Sequence, residues 1–154
     1  MSTLGKLLLQ KELRCAVAES CTGGLIAAAI TDYPGCSSWF ECGFVTYSNH
    51  AKHAMLGVPL STLQTFGAVS KETAQAMAEG ALYHSQAELS VAITGIAGPD
   101  GGTFQKPVGT VWFAWAQKNK PTLVIGHQLQ GSRTNIRQQA MLLALQGLIA
   151  SAQS

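Results

Sequence analysis

The apolar positions of the chain change period several times, and each change marks an element. Leu4, Leu7 and Leu8 recur at helical spacing in a first short helix ending near Glu12. The unbroken apolar run at 15–18 reads as a buried strand, and the turn at 19–24 opens a second helix, Leu25 to about Thr31, closed by Tyr33-Pro34-Gly35. Residues 40–47 alternate as a strand entering the sheet, and a short helical piece covers roughly Asn49 to Leu56.

Further on, Ser70 is a good N-cap, Glu72 suits the positive end of a helix, and Ala74, Met77, Ala78, Ala81 and Leu82 form its apolar stripe to about Ser85. Residues 89–94 read as a buried strand, 95–109 as a loop rich in glycine and proline, and 111–116 as a strand. Only a few residues around 118–120 separate that strand from 123–129, too few for a crossover, so the pair forms an antiparallel hairpin and the sheet is mixed. A closing helix begins near Ser132 with Ile136, Ala140, Leu143 and Ala144 on one face and Gly147 near its end. The order of elements predicts an α/β fold, a three-layer α/β/α sandwich with a mixed sheet, built as a single domain over 1–154.

Composition narrows the classes of function. Hydrophobic residues make up 47% and charged residues 12% of the chain, too apolar for disorder and suggestive of self-association into a homo-oligomer. Ten basic against eight acidic residues leave no basic stripe, so no nucleic acid is expected as partner. Apolar runs such as 25–30 fall well short of the roughly 20 residues that a membrane span needs. Cys15, Cys21, Cys36 and Cys42 lack metal-ligand or framework spacing and follow no secretory pattern, which fits reduced thiols in the cytoplasm.

Four stretches could carry chemistry. In Glu19-Ser20-Cys21-Thr22-Gly23-Gly24, the paired glycines let backbone amides approach an anion or an oxyanion, and Ser20 stands where a nucleophile is useful; Ser20 or Thr22 could equally be a helix cap, and Cys21 reads as packing. In Tyr47-Ser48-Asn49-His50-Ala51-Lys52-His53, Lys52 becomes a base only if burial strips its proton, and by itself it reads as a solvated lysine. Tyr47 could relay a proton or orient that base, while His50 and His53 find no further metal ligands. The loop with Thr94, Gly95 and Gly98 is longer than usual and lies at a strand end, where ligands are often wrapped. Finally, Arg133 and Arg137 share a face at the start of the last helix, against the helix dipole, inviting either a bound phosphate or partner carboxylates.

Together these stretches resemble the deamidase domain at the carboxyl end of the competence-and-damage-inducible CinA proteins, through AESCTGG at 18–24, GFVTYSNHAK at 43–52, GAVS at 67–70, ITGIAGPDGG at 93–102 and KPVGTVWFA at 106–114. The resemblance spans nearly the whole chain. It implies a three-layer α/β/α fold, no metal or organic cofactor, and hydrolysis of the carboxamide of nicotinamide mononucleotide. It also implies Ser20 as nucleophile, Lys52 as its base and Tyr47 as an assisting group. Thr22, Gly23, Gly24, Asn49, Thr94, Gly95 and Gly98 would then contact substrate, with Arg133 and Arg137 on its 5′-phosphate. The chain departs from the family at His50, usually glutamate, and at Ser132, often aspartate. Both changes remove an acid near the expected pocket, and they motivate an alternative: an impaired relative that binds a pyridine nucleotide or a partner protein.

Overall fold

The computed structural model describes residues 2–154. Six helices and five strands follow in the order α1 (Ser2–Gln10), β1 (Cys15–Glu19), α2 (Leu25–Thr31), β2 (Phe40–Val45), α3 (Asn49–Leu56), α4 (Leu60–Phe66), α5 (Lys71–Tyr83), β3 (Leu89–Gly95), β4 (Thr110–Gln117), β5 (Leu123–Gln128) and α6 (Arg133–Gln153), with a 3-10 turn at Cys36–Ser38. The sheet order is β2-β1-β3-β4-β5. Its first three strands are parallel, and β4 and β5 join as antiparallel neighbours. The sheet is therefore mixed, with helices on both sides.

The alternation of side chains along the strands explains the two layers. On one face Cys15, Val17, Leu89, Val91, Ile93, Val111, Phe113 and Trp115 make a bulky surface that packs with α1, α2 and α6. On the other, Ala16, Ala18, Ala92, Ala114 and Ala116 make a flat surface, and α5 brings Ala74, Ala78 and Ala81 against it. Small residues on both partners let α5 lie close to the strands. The buried Ser90 hydroxyl on that face donates to the Ala78 carbonyl at 2.7 Å and is satisfied.

Boundaries differ from the sequence reading in a few places. The strand expected over 40–47 stops at Val45, because the carbonyls of Thr46 and Tyr47 turn away to accept hydrogen bonds from Lys52. The short α4 had no signal: it starts after Pro59 without a side-chain cap and buries only Leu63. In α6 the buried face is Ile136, Ala140, Ala144, Leu145, Leu148 and Ala152, with Leu143 only partly covered at its flank. No helix among the described residues is long and apolar enough to cross a membrane.

This topology fixes where chemistry can occur. The chain leaves β1 toward β2 on one side of it, while β3 lies on the other, so the loops after these parallel strands diverge and open a crevice at their carboxyl ends. Ser20, Thr46 and Tyr47, and Ile96 follow β1, β2 and β3 at that edge.

Candidate active site

Ser20 is held as an extension of the sheet. Its amide donates to the Ile93 carbonyl of β3 at 3.0 Å, and the preceding Glu19 carbonyl accepts from the Thr46 amide at 2.8 Å. The residue is 7% exposed and its hydroxyl points into a cavity of about 180 Å³, whose wall includes Cys21, Tyr47, Lys52, Thr94, Gly95 and Arg133. Larger hollows exist, such as the groove of about 390 Å³ between β5 and the end of α6, but Trp115, Leu123 and Ile125 there bring no cluster of reactive groups.

Lys52 reaches the same point from α3. Ser48 caps that helix by accepting the Ala51 amide at 3.0 Å, which sets its first turn and aims Lys52 inward. The side chain is 1% exposed, and Nζ lies 3.0 Å from Ser20 Oγ, from the Thr46 carbonyl and from the Tyr47 carbonyl. Neither of the two salt bridges among the described residues involves this amine. Burial is the main cause that pushes its pKa below the ordinary lysine value, against a smaller opposing pull from Cys21. Nζ donates to the two carbonyls and to Ser20 Oγ; once the amine is neutral, two N–H groups suffice for the carbonyls and the lone pair is left for the serine hydroxyl.

The Glu19 side chain is the part of the site that the sequence reading missed. It is fully buried, and its carboxylate accepts the amides of Gly24 and Ile26 through Oε2 at 3.0 and 3.2 Å and of Ala27 through Oε1 at 2.9 Å. It thereby replaces the missing side-chain cap of α2, whose N-cap is Gly24 at φ 103°. The available signal was a carboxylate ending an apolar strand, where a buried charge demands partners. Ala68 and Val69 were also missed; they reach the cavity because Thr94 Oγ1 donates to the Ala68 carbonyl at 2.7 Å.

Several expected contacts are not where the sequence placed them. Arg137 turns away from the cavity and donates through Nε to the Cys21 carbonyl at 3.1 Å and through Nη2 to the Thr22 carbonyl at 3.0 Å. Two of its donors are thus engaged by the serine turn, and the residue does not line the cavity where its phosphate role was expected. The amide of Gly23 is taken by the Ser20 carbonyl at 3.1 Å and that of Gly24 by Glu19, so neither glycine can steady an oxyanion. The Thr22 side chain is fully buried rather than facing substrate, and Asn49 is exposed at the start of α3 outside the cavity wall. Gly98 acts through its carbonyl, which accepts from Arg133 at 2.7 Å. Tyr47 orients Lys52 with its main chain, while its phenol, on a residue 62% exposed, accepts from Arg133 at 3.3 Å.

The remaining departures have structural explanations. Ser132 caps α6 by accepting the Asn135 amide at 3.2 Å, while Asn135 returns the favour to the Ser132 amide at 3.0 Å. Serine and aspartate serve comparably there, so no acid is lost from the cavity. His50 is exposed and lies outside the wall. The Cys21 thiol, pushed up to about 11 chiefly by burial, stays protonated near neutral pH and leaves Ser20 as the better nucleophile. Among the described residues no three metal-binding side chains converge.

Fold and site together define a three-layer α/β/α protein with a serine hydroxyl set against a buried lysine amine at the crevice of its parallel strands. The chain belongs to the CinA C-terminal domain family, whose family model matches residues 1–152. It is 52% identical over 143 residues, covering 93% of this chain and 87% of the relative, to the nicotinamide-nucleotide amidohydrolase PncC of Enterobacter agglomerans. With the protein of that name from Escherichia coli K12 it shares 49% identity over 145 residues, 94% of this chain and 88% of the other. Among solved structures, the competence/damage inducible protein CihA from Agrobacterium tumefaciens superposes with a TM-score of 0.91 at 47% identity, covering 96% of this chain and 94% of that one.

Proposed function

We propose that this protein hydrolyses the carboxamide of nicotinamide mononucleotide, giving nicotinate mononucleotide and ammonia, with Ser20 as nucleophile and Lys52 as its base. The observation that carries the reading is the 3.0 Å approach of a fully buried amine to the serine hydroxyl inside a cavity. The names of the amidohydrolase relatives supply the substrate.

The steps follow from the geometry. Lys52 takes the hydroxyl proton as Ser20 Oγ bonds to the carboxamide carbon, and the negative charge gathers on the amide oxygen. Collapse of that intermediate breaks the C–N bond, and the proton held by Lys52 leaves with the nitrogen as ammonia. Water then attacks the acyl-serine, Lys52 takes one of its protons and returns it to Oγ as the C–O bond to serine breaks, and the acid so freed gives its remaining proton to solvent and departs as carboxylate. The cavity is smaller than the about 300–1,000 Å³ of sites that enclose a whole drug-sized ligand, so it suits the pyridine carboxamide, with ribose and phosphate at the mouth.

Arg133 stands at that mouth and would hold the 5′-phosphate. Replacing it with methionine should raise KM for the nucleotide about tenfold and leave hydrolysis of nicotinamide riboside, which lacks the phosphate, unchanged. Equal losses on both substrates would remove the phosphate assignment. The whole reading is tested by incubating the purified protein with nicotinamide mononucleotide and following ammonia and nicotinate mononucleotide together. Binding without turnover would instead favour the impaired relative that His50 and Ser132 suggested.

The same reading places the enzyme in the cytoplasm, where Cys21 and its fellow thiols stay reduced, and as a self-associating chain. The open edge of β5 beside exposed Leu123 and Leu142 is consistent with association, and a monomer mass in light scattering would exclude it.

A further inference from the structure

Arg137 lies outside the cavity, yet its two donors both end on the turn that carries the nucleophile. In a trans peptide the C=O and N–H of one unit point in opposite directions. Fixing the Cys21 carbonyl toward α6 therefore fixes the Thr22 amide on the opposite side. The Ser20 carbonyl is likewise drawn into the turn by the Gly23 amide, which turns the Cys21 amide outward. Neither the Cys21 nor the Thr22 amide meets an acceptor among the described residues, although every neighbouring amide from Gly23 to Ala27 does.

We propose that Arg137 is a positioning residue: its guanidinium, by gripping the Cys21 and Thr22 carbonyls, sets the Thr22 amide as one of two donors that receive the negative charge of the tetrahedral intermediate on Ser20. The Cys21 amide is the other. Glu19 holds the same turn by its later amides while Arg137 holds it by its carbonyls, so the five-residue loop is fixed from two sides without any substrate present. Gly23 suits the turn because φ is 57° there, a left-handed conformation that favours glycine. A planar fork is required for this grip, since both carbonyls are reached by one rigid group.

The inference rests on the proposed serine chemistry and deepens it. Its experiment compares Arg137→Met and Arg137→Lys with the unaltered protein on nicotinamide mononucleotide and on nicotinamide riboside. Loss of an aligned oxyanion donor should lower kcat about 100-fold on both substrates, with KM changed less than about threefold. Added guanidinium ion at millimolar concentration should recover about tenfold of that loss in Arg137→Met and nothing in the unaltered protein. An unchanged kcat, or a rise in KM confined to the phosphorylated substrate, would overturn the assignment and return Arg137 to phosphate binding.

A second measurement does not depend on the substrate. Labelling of Ser20 by a fluorophosphonate, followed by intact mass, uses the same nucleophile and the same oxyanion donors, and Ser20→Ala supplies the blank. The label should enter Arg137→Met and Arg137→Lys at least about tenfold more slowly than the unaltered protein, with circular dichroism showing the fold retained. Equal labelling rates overturn the proposal. If the unaltered protein labels at Ser20 but releases no ammonia, the substrate reading fails while the labelling still decides Arg137; if it does neither, both fall.

Discussion

Turnover should fall by about 10³- to 10⁴-fold in Lys52→Met and to background in Ser20→Ala, with the fold retained in both. Methionine is close to lysine in length and apolar, so it fills the space of a side chain that is 1% exposed. It removes a desolvated amine, which stabilises, and leaves the Thr46 and Tyr47 carbonyls without their donor, which costs about 1–3 kcal/mol each. These effects oppose each other, so stability changes little and the loss is chemical. Lys52→Arg should not rescue activity, because a guanidinium does not give up its proton.

The pH profile of the unaltered protein provides the companion result. Only the neutral amine can accept the serine proton, so kcat/KM should rise with pH and level off above the pKa of Lys52, and be lost as pH falls through it. Burial lowers that pKa from 10.5, which places the midpoint below the ordinary lysine value. A midpoint at or above 10.5, or a Lys52→Met variant with full turnover, would remove Lys52 as the base. The same shift acts on stability: the folded state binds the lysine proton more weakly than the unfolded chain, so this group's penalty shrinks as pH rises between the two pKa values.

Ser20 and Lys52 were legible in the sequence only through the resemblance of their flanking motifs, and the reason is physical. A strand-to-helix turn with glycines is the same string whether its serine caps a helix or attacks a substrate. A lysine in a polar stretch reads as solvated unless its burial is known, and the burial of Lys52 comes from the folding of α3 against the sheet edge, a long-range fact. The strands were easier: the alternation of bulky and small residues along β1, β3 and β4 follows directly from the pleat, and the hairpin of β4 and β5 follows from a connection too short to cross the sheet.

The two arginines show where pattern reading stops. Spaced four apart on one helix, Arg133 and Arg137 share a face and invite a shared ligand. The structure splits them, because one turn of helix is enough to carry Arg133 to the mouth of the cavity while leaving Arg137 level with the back of the serine turn. The role of Glu19 was hidden for the converse reason. Its partners are backbone amides, which every sequence possesses and none advertises, so a carboxylate ending an apolar strand hints at a buried charge but not at its service as the cap that α2 otherwise lacks.

The second large effect is expected far from the reacting atoms, at Gly80→Ala. In an exposed helix this change should stabilise by about 1 kcal/mol, because alanine restricts the unfolded chain and favours the helix. Here a Cβ on Gly80 would sit 2.0 Å from the Leu56 carbonyl oxygen, and a main-chain atom at the end of α3 cannot rotate aside as a side chain would. Overpacking of this kind costs about 1–3 kcal/mol or more, so the clash decides the sign and the melting temperature should drop by several degrees. The displaced element matters more than the size of the drop. Leu56 ends the helix that carries Lys52, and a shift of α3 by about 1 Å would pull the amine off the serine hydroxyl, a misplacement worth about 100-fold in rate. Activity should therefore fall about 100-fold at temperatures where the variant is still folded. Gly35→Ala is the matched control: φ is 84° there, so alanine is strained by about 1–2 kcal/mol, but its Cβ would meet nothing within 4 Å, and the site should keep its turnover. If both variants lose stability and neither loses activity, the position of Lys52 does not depend on the close approach of α3 to α5, and the geometry that sets the base must be fixed by the strand-end carbonyls alone.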